Sequence, residues 1–344
     1  MYKVGIIGVT GYAGLELFRL LKTHPFIKIN KISSESFKGI PLSQVYPNLK
    51  DISDMICESS EEVIKNCDVI FAALPAGLCE DFAKTCYEQD KLFIDLGADF
   101  RLEDEEDYKQ WYGGTYKNKD IHKKAVYGLP ELFREEIKGK KLIANPGCYT
   151  TATELALSPA LKNNLIDTRF IVADCKSGAT GAGRKLSDTT HFAKLNEGCS
   201  AYKVGVHRHI PEIEQVLSKV ANSDITVTFV PHLLSVNRGI LASCYAKLND
   251  NVTKEDVLSA YHKFYDDEYF VRLYDDGRCV DIHDVKYSNY CDISVHIDER
   301  TRTLVVISAI DNMVKGSAGQ AIQNMNIALG FCENTALQMI PPAF

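Results

Sequence analysis

The run Gly8-Val9-Thr10-Gly11-Tyr12-Ala13-Gly14 constrains the chain more than any other segment. It joins a short β-rich stretch, residues 3–9, to residues 12–21, where Leu15, Leu17, Phe18 and Leu21 fall at helical spacing. Glycines let the backbone turn sharply there and let a ligand approach it where a side chain would otherwise stand. The unpaired N–H groups of a helix start attract negative charge, a pyrophosphate in particular. Placement carries the reading: the turn lies at the first strand–helix junction of an N-terminal α/β unit, where a dinucleotide would be held.

The following segments repeat this order. Residues 26–32 alternate like a strand, and 68–74 (DVIFAAL) form a continuous apolar run. Residues 79–87 read as a helix, and 92–96 and 141–144 as further strands. Strands that alternate with helices, some apolar on both faces, predict a parallel sheet covered by helices. After about residue 148 the texture changes. Strand-like runs at 170–175, 225–230, 240–248, 293–297 and 303–310 come with fewer helices between them. One clear helix is predicted over 253–265, with Thr253 as cap and Asp256 three residues on. This half reads as an α+β domain with a largely antiparallel sheet. A last helix over 317–329 is expected to pack back on the first domain. The polar stretch 117–124 reads as a solvated loop.

Composition narrows the function classes. The 344 residues carry 39 Lys+Arg against 46 Asp+Glu, a formal net charge of −7. Nothing in that balance draws the chain to nucleic acid or to an anionic membrane, so any anionic ligand must be held by local groups. No uninterrupted apolar stretch is long enough for a span, and no targeting signal shows. Eleven cysteines without a C-x-x-C pair suit reduced thiols, and the expected compartment is the cytoplasm.

Four further segments bear on chemistry. The second strand ends in Ser33-Ser34-Glu35 with Lys38 nearby; two hydroxyls and a lysine suit a 2′-phosphate better than a free ribose hydroxyl, favouring NADP over NAD. In Asn145-Pro146-Gly147-Cys148-Tyr149-Thr150-Thr151, Cys148 follows a strand and turn and precedes a helical run. A thiolate is stabilised at a helix start, and the same N–H groups can hold an oxyanion. The other ten cysteines lack this setting.

His207, Arg208 and His209 lie in what reads as an extended segment of the other domain, so that a histidine would meet Cys148 across a cleft. It could act as base toward the thiol or as acid toward an oxygen, and spacing leaves open whether His207 or His209 faces the cysteine. Arg208 could bind a carboxylate or phosphate bidentately. H-x-H could also be half of a metal site, but no third ligand stands at matching spacing, and no metal is expected. Finally, 176–185 (KSGATGAGRK) could cradle a phosphate or carboxylate, and 314–320 is a second Gly-rich turn into a helix.

Taken together, these segments resemble the N-acetyl-γ-glutamyl-phosphate reductase family, relatives of aspartate-semialdehyde dehydrogenase. The likeness runs from end to end through GVTGYAGLEL (8–17), FAALPAG (71–77), DLGADFRL (95–102), VYGLPEL (126–132), NPGCY (145–149), KSGATGAGRK (176–185), HRHIPEIEQ (207–215), VPHLLSVNRG (230–239) and DNMVKGSAGQAIQNMN (311–326). Two departures show: Gly97 where family members commonly have serine, and Thr150 where they commonly have proline.

The resemblance implies an N-terminal Rossmann-like domain of 1–147 with 314–344. It implies an α+β catalytic, substrate and oligomerisation domain of 148–313, like the C-terminal fold of glyceraldehyde-3-phosphate dehydrogenase. It implies a homo-oligomer, dimer or tetramer, acting on a small acyl phosphate or semialdehyde. Cys148 would be the nucleophile and His207 the acid/base. NADP would contact Gly8, Thr10, Gly11, Tyr12, Ala13, Gly14, Ser33, Ser34, Ser177, Gly178, Asn312, Lys315 and Gly316, with 311–320 lining the nicotinamide. Substrate anions would meet Arg101, Asn145, Arg184, Arg208 and His209. The lysine-pathway reductase, whose substrate is one methylene longer, differs by only about 1–3 kcal/mol of pocket energy, so the motifs separate it poorly. H-R-H-x-P-E-I favours the glutamyl enzyme over the aspartyl one. A Cys–His hydrolase and a nucleotide sensor without catalysis are rival classes. The paired Gly-rich turns weigh against the first, and the intact Cys148 and His207 against the second.

Overall fold

The computed structural model describes residues 1–343. The chain divides into one unit of Met1–Pro146 with Ser317–Gln338 and a second unit that holds Gly147–Gly316. Residues 339–343 fall with the second unit, whereas the resemblance assigns them to the first.

The first unit is built on β1 (Tyr2–Ile7), β2 (Ile27–Ser33), β3 (Cys57–Glu58), β4 (Val69–Ala72), β5 (Leu92–Asp95), β6 (Val126–Tyr127) and β7 (Leu142–Ala144). Their order is β3-β2-β1-β4-β5-β7-β6, and every pairing is parallel. Val4, Ile6, Ile7, Ile70, Phe71 and Phe93 are wholly buried, as strands covered on both faces must be. Strand order reverses between β1 and β4, which places the crevice of a doubly wound sheet beside the Gly8–Gly14 turn. The helix Tyr12–Leu21 starts where the apolar spacing predicts it. The C-terminal helix Gly319–Ala328 packs on it and on the helix Pro130–Ile137, as the sequence suggests.

The second unit carries β8 (Ile166–Ser177), β9 (Cys199–Ala201), β10 (Thr228–Leu234), β11 (Ile240–Leu248), β12 (Val271–Tyr274), β13 (Cys291–Asp298) and β14 (Thr303–Ile310) in the order β12-β13-β14-β11-β8-β10-β9. The β12–β13 and β10–β8 pairs are parallel and the rest antiparallel, so the sheet is mixed. Polar hooks fix the helix Cys148–Lys162 to its neighbours. Ser308 Oγ donates to Ala152 O, and the Tyr261 and Tyr265 hydroxyls donate to Ala156 O and Leu155 O. Thr253 and Asp256 form the expected capping box of the helix Lys254–Tyr265.

Two local expectations need correction. The stretch 117–124 is anchored: the N–H groups of Lys117 and Asn118 donate to Glu80 Oε2, and Ile121 is buried in the short helix Lys119–His122. The segment 207–209 is also not extended: it turns into the helix Ile210–Ala221, with His209 as N-cap and Pro211 in the first turn.

Candidate active site

In the first unit the Gly8–Gly14 turn has the shape its glycines allow. Gly8 adopts φ +81°, and a Cβ there would stand 2.4 Å from Ala73 O. A Cβ on Gly14 would meet Gly8 O at 2.3 Å and Val9 Cα at 2.7 Å. The helix follows so closely that only glycine fits. Gly11 is its N-cap and supplies no side-chain hydrogen bond, and Gly11, Tyr12 and Ala13 remain partly or fully exposed. Thr10 Oγ1 lies 2.7 Å from Ser34 Oγ, so one hydroxyl at the end of β2 meets the turn, whereas Ser33 Oγ lies 3.4 Å from Ser60 Oγ on the helix Ser60–Asn66. This cradle fits a dinucleotide: the backbone is bare where a pyrophosphate would rest, and hydroxyls stand beside it.

Arg101 and Asn145 meet in the same unit, but the geometry directs them inward. Arg101 Nε donates to Asn145 O at 2.8 Å and an Nη to Leu96 O at 3.0 Å. Asn145 Nδ2 donates to Ser317 O at 3.1 Å, and its Oδ1 accepts from Asn324 Nδ2 at 3.1 Å. These bonds brace the chain just before Gly147.

Cys148 opens the helix Cys148–Lys162 in the second unit, with Gly147 as N-cap. It thus stands nearer the helix start than the sequence suggested. His207 belongs to the same unit, so the two do not sit on different domains as expected. Cys148 is half-buried, and Gly316 packs on it: a Cβ on Gly316 would lie 2.8 Å from Cys148 Cβ. Gly316 lies in a π-helical turn, Val314–Ala318. Glu212, which the sequence does not single out, is wholly buried, and its Oε1 accepts from Gly147 N at 2.8 Å and stands 2.9 Å from Thr150 Oγ1. Its one sequence signal is its place in H-R-H-x-P-E. Thr150, at the position where proline is common, thereby adds a polar contact to this carboxyl.

An aromatic cluster surrounds His207. Its ring stands edge-on to Tyr149, Tyr202 and Phe229 at 5.7, 5.6 and 5.3 Å, and to His209 at 4.7 Å. Tyr202 Oη donates to Tyr149 Oη, which donates to His232 O. Burial raises both phenols, Tyr202 to about 12, so both remain protonated. Burial, with the neighbouring charges of His209, Lys203 and Arg208, pushes His207 down to about 3, which makes the ring neutral at ordinary pH. His207 Nδ1 accepts the backbone N–H of His209 at 3.1 Å.

The loop that begins at Ser177 and Gly178 is stitched to 236–239. Gly178 N donates to Gly239 O, Ala179 N to Val236 O, and Thr180 Oγ1 to Asn237 O. Asn312 clamps both sides, accepting from Gly239 N and donating to Thr180 Oγ1. Lys315 is wholly buried, its Nζ 5.6 Å from the Phe270 ring. Arg184 and Arg208 are exposed. Among the described residues, no cluster of three or more His, Cys, Asp or Glu side chains could hold a metal. Nor is any described helix long and apolar enough to cross a membrane.

Residues 3–140 match a family model for the semialdehyde dehydrogenase NAD-binding domain, and 148–312 one for the semialdehyde dehydrogenase dimerisation domain. The N-acetyl-gamma-glutamyl-phosphate reductases of Brachyspira hyodysenteriae and Clostridium botulinum are each 53% identical to this chain, covering 100% of both partners. The chain belongs to the N-acetyl-γ-glutamyl-phosphate reductase family. The Thermoanaerobacter member is 46% identical over 99% of each chain. The reductase fold also extends to an aspartate semialdehyde dehydrogenase of Vibrio cholerae, with a TM-score of 0.71 at 16% identity over 95% of this chain and 98% of that one. The Candida albicans aspartate semialdehyde dehydrogenase, solved with NADP, gives 0.70 at 17% identity over 95% and 98%.

Proposed function

We propose that this chain reduces N-acetyl-L-glutamyl 5-phosphate to N-acetyl-L-glutamate 5-semialdehyde and phosphate with NADPH, a step of arginine biosynthesis. The observation that carries the reading is Cys148: a half-buried thiol in the first turn of a helix, seated on Gly316, within a sequence 53% identical to known reductases over 100% of its residues. The helix start favours its thiolate, which attacks the acyl phosphate, forms a thioester and releases phosphate. NADPH, when bound, supplies the hydride that reduces the thioester. Gly8, Thr10, Gly11, Tyr12, Ala13, Gly14, Ser33 and Ser34 hold its phosphates and ribose. The buried Ser177, Gly178 and Asn312 keep the 177–183 loop in place, and Gly316 leaves room for Cys148. The exposed Arg184 and Arg208 are the cations offered to the substrate's carboxylates and phosphate. Arg101 and Asn145 act by bracing the turn that precedes the cysteine.

The partner is a second copy of the chain, as the dimerisation-domain match over 148–312 supports. Eleven cysteines outside any disulfide suit the reducing cytoplasm. The test runs the reaction in reverse, with N-acetylglutamate semialdehyde, NADP and phosphate or arsenate, following reduced cofactor by absorbance. Anion-dependent reduction that disappears in Cys148→Ser is expected. Activity that persists in that variant, or appears only with aspartate semialdehyde, overturns the reading. A parallel titration with NAD tests the assignment of Ser33 and Ser34.

A further inference from the structure

The strand register of the second unit brings three chain segments together just past the edge of the sheet. Ile310, the last residue of β14, stands opposite Ile240 of β11 on one side and Cys291 of β13 on the other. Asp311 therefore emerges beside the residues that precede those two strands. Its side chain is wholly buried, and donors surround both carboxyl oxygens. Oδ1 accepts the N–H groups of Met313 at 2.7 Å and Val314 at 3.2 Å, and Oδ2 accepts that of Tyr287 at 2.7 Å. Arg238 Nη1 lies 3.3 Å from Oδ2 and 3.4 Å from Oδ1. A carboxyl removed from water needs such a set of partners, and losing one leaves a costly buried group.

Two further observations give the cluster a direction. Tyr287 adopts φ +60°, a left-handed conformation that a bulky residue keeps only where its surroundings hold it. That conformation aims its N–H at Asp311, and the Arg238 guanidinium lies over its ring at 4.7 Å. On the other side, the Asp311 carbonyl oxygen accepts from Gly316 N at 3.0 Å. Side chain and carbonyl together thus hold the N–H groups of Met313, Val314 and Gly316, and Gly316 is the residue that packs on Cys148.

From this geometry we infer that Asp311 and Arg238 are positioning residues: their buried pair fixes the 313–316 turn, and with it the wall on which Cys148 is seated. The inference rests on Cys148 being the nucleophile. Arg238 extends the brace, because its neighbours Val236 and Gly239 accept the N–H groups of Ala179 and Gly178. A wall displaced by about 1 Å misplaces the sulfur, which can cost roughly 10²-fold in rate.

Asp311→Asn keeps an oxygen for Met313 and Val314 but turns an amide NH2 toward the Tyr287 N–H and Arg238, setting donor against donor. It should lower kcat by about tenfold or more while the KM for NADPH stays within about twofold. Arg238→Met should do the same, and Arg238→Lys, which keeps the charge, should recover most of the activity. A second readout needs no turnover: alkylation by iodoacetamide, followed by peptide mass spectrometry. Cys148 should react about threefold faster or more in Asp311→Asn and Arg238→Met, because a loosened turn uncovers it. The buried Cys175 and Cys244 of the same unit should stay protected. Unchanged kcat or unchanged labelling of Cys148 in these two variants overturns the inference. Labelling of Cys175 and Cys244 that rises in step with Cys148 also overturns it, since that marks general loosening of the unit. Alkylation reads the wall whatever the substrate, so this failure is distinct from activity that survives in Cys148→Ser.

Discussion

Replacing Gly316 with alanine tests how closely the cysteine is seated. The added Cβ would lie 2.8 Å from Cys148 Cβ, 3.2 Å from Cys148 Cα and 3.3 Å from Ile310 Cδ1. Carbon atoms rest at about 3.5–4.0 Å, so the backbone of one or both segments must yield by roughly 1 Å. Neither near atom of Cys148 can swing aside, since both belong to the first turn of a helix whose N-cap N–H is held by Glu212. A displacement of ~1 Å at a reacting centre can cost about 10²-fold in rate. The accompanying overpacking should destabilise the fold by about 1–3 kcal/mol. Gly316→Ala is therefore expected to lose about a hundredfold in kcat while urea unfolding remains cooperative and the midpoint falls modestly. Activity within about threefold of wild type would mean that the cysteine is not held by this contact.

Glu212→Ala should remove the acceptor for Gly147 N and the contact to Thr150, costing about 1–3 kcal/mol in denaturant unfolding; an unchanged midpoint would contradict the role assigned to that carboxyl. Gly14→Ala should weaken NADPH binding by about tenfold or more, read by titration, because its Cβ would collide with Gly8 O and Val9 Cα; unchanged affinity would separate the turn from the cofactor. The pH dependence of stability carries a definite sign. His207 is pushed down to about 3 in the folded chain, so between that pH and the ordinary histidine range near 6.5 the unfolded state binds more protons. Stability relative to His207→Gln should be full above that range and fall on acidification, by at most about 1.4 kcal/mol per pH unit. Using the variant as reference removes the opposite contribution of Asp95, whose carboxyl burial and Asp99 raise to about 6. A difference that is flat with pH would refute a neutral buried ring.

Much of this arrangement was legible in the sequence because it follows from local rules. The helix Tyr12–Leu21 declares itself by apolar spacing, the helix Lys254–Tyr265 by its capping box, and β11 and β14 by continuous β-forming runs. What was missed depends on contacts distant in the chain. β3 and β6 are two residues long and exist only because a neighbouring strand pairs with them. The helix Ile210–Ala221 hid behind a proline, which reads as a break but sits where a first turn tolerates it. The resemblance assigns Arg101 to a substrate anion, yet its reach to Leu96 O and Asn145 O does not follow from spacing. Glu212 lies 62 residues beyond Thr150, and only the fold brings them together.

The claim at the centre is that Cys148 carries the acyl group. Protein mixed with N-acetylglutamyl phosphate in the absence of NADPH, quenched in acid and examined by peptide mass spectrometry, should show a single N-acetylglutamyl adduct on the peptide that contains Cys148. The adduct should vanish when NADPH is added before the quench. An acyl group on another residue, or turnover without any adduct at Cys148, would contradict the covalent mechanism.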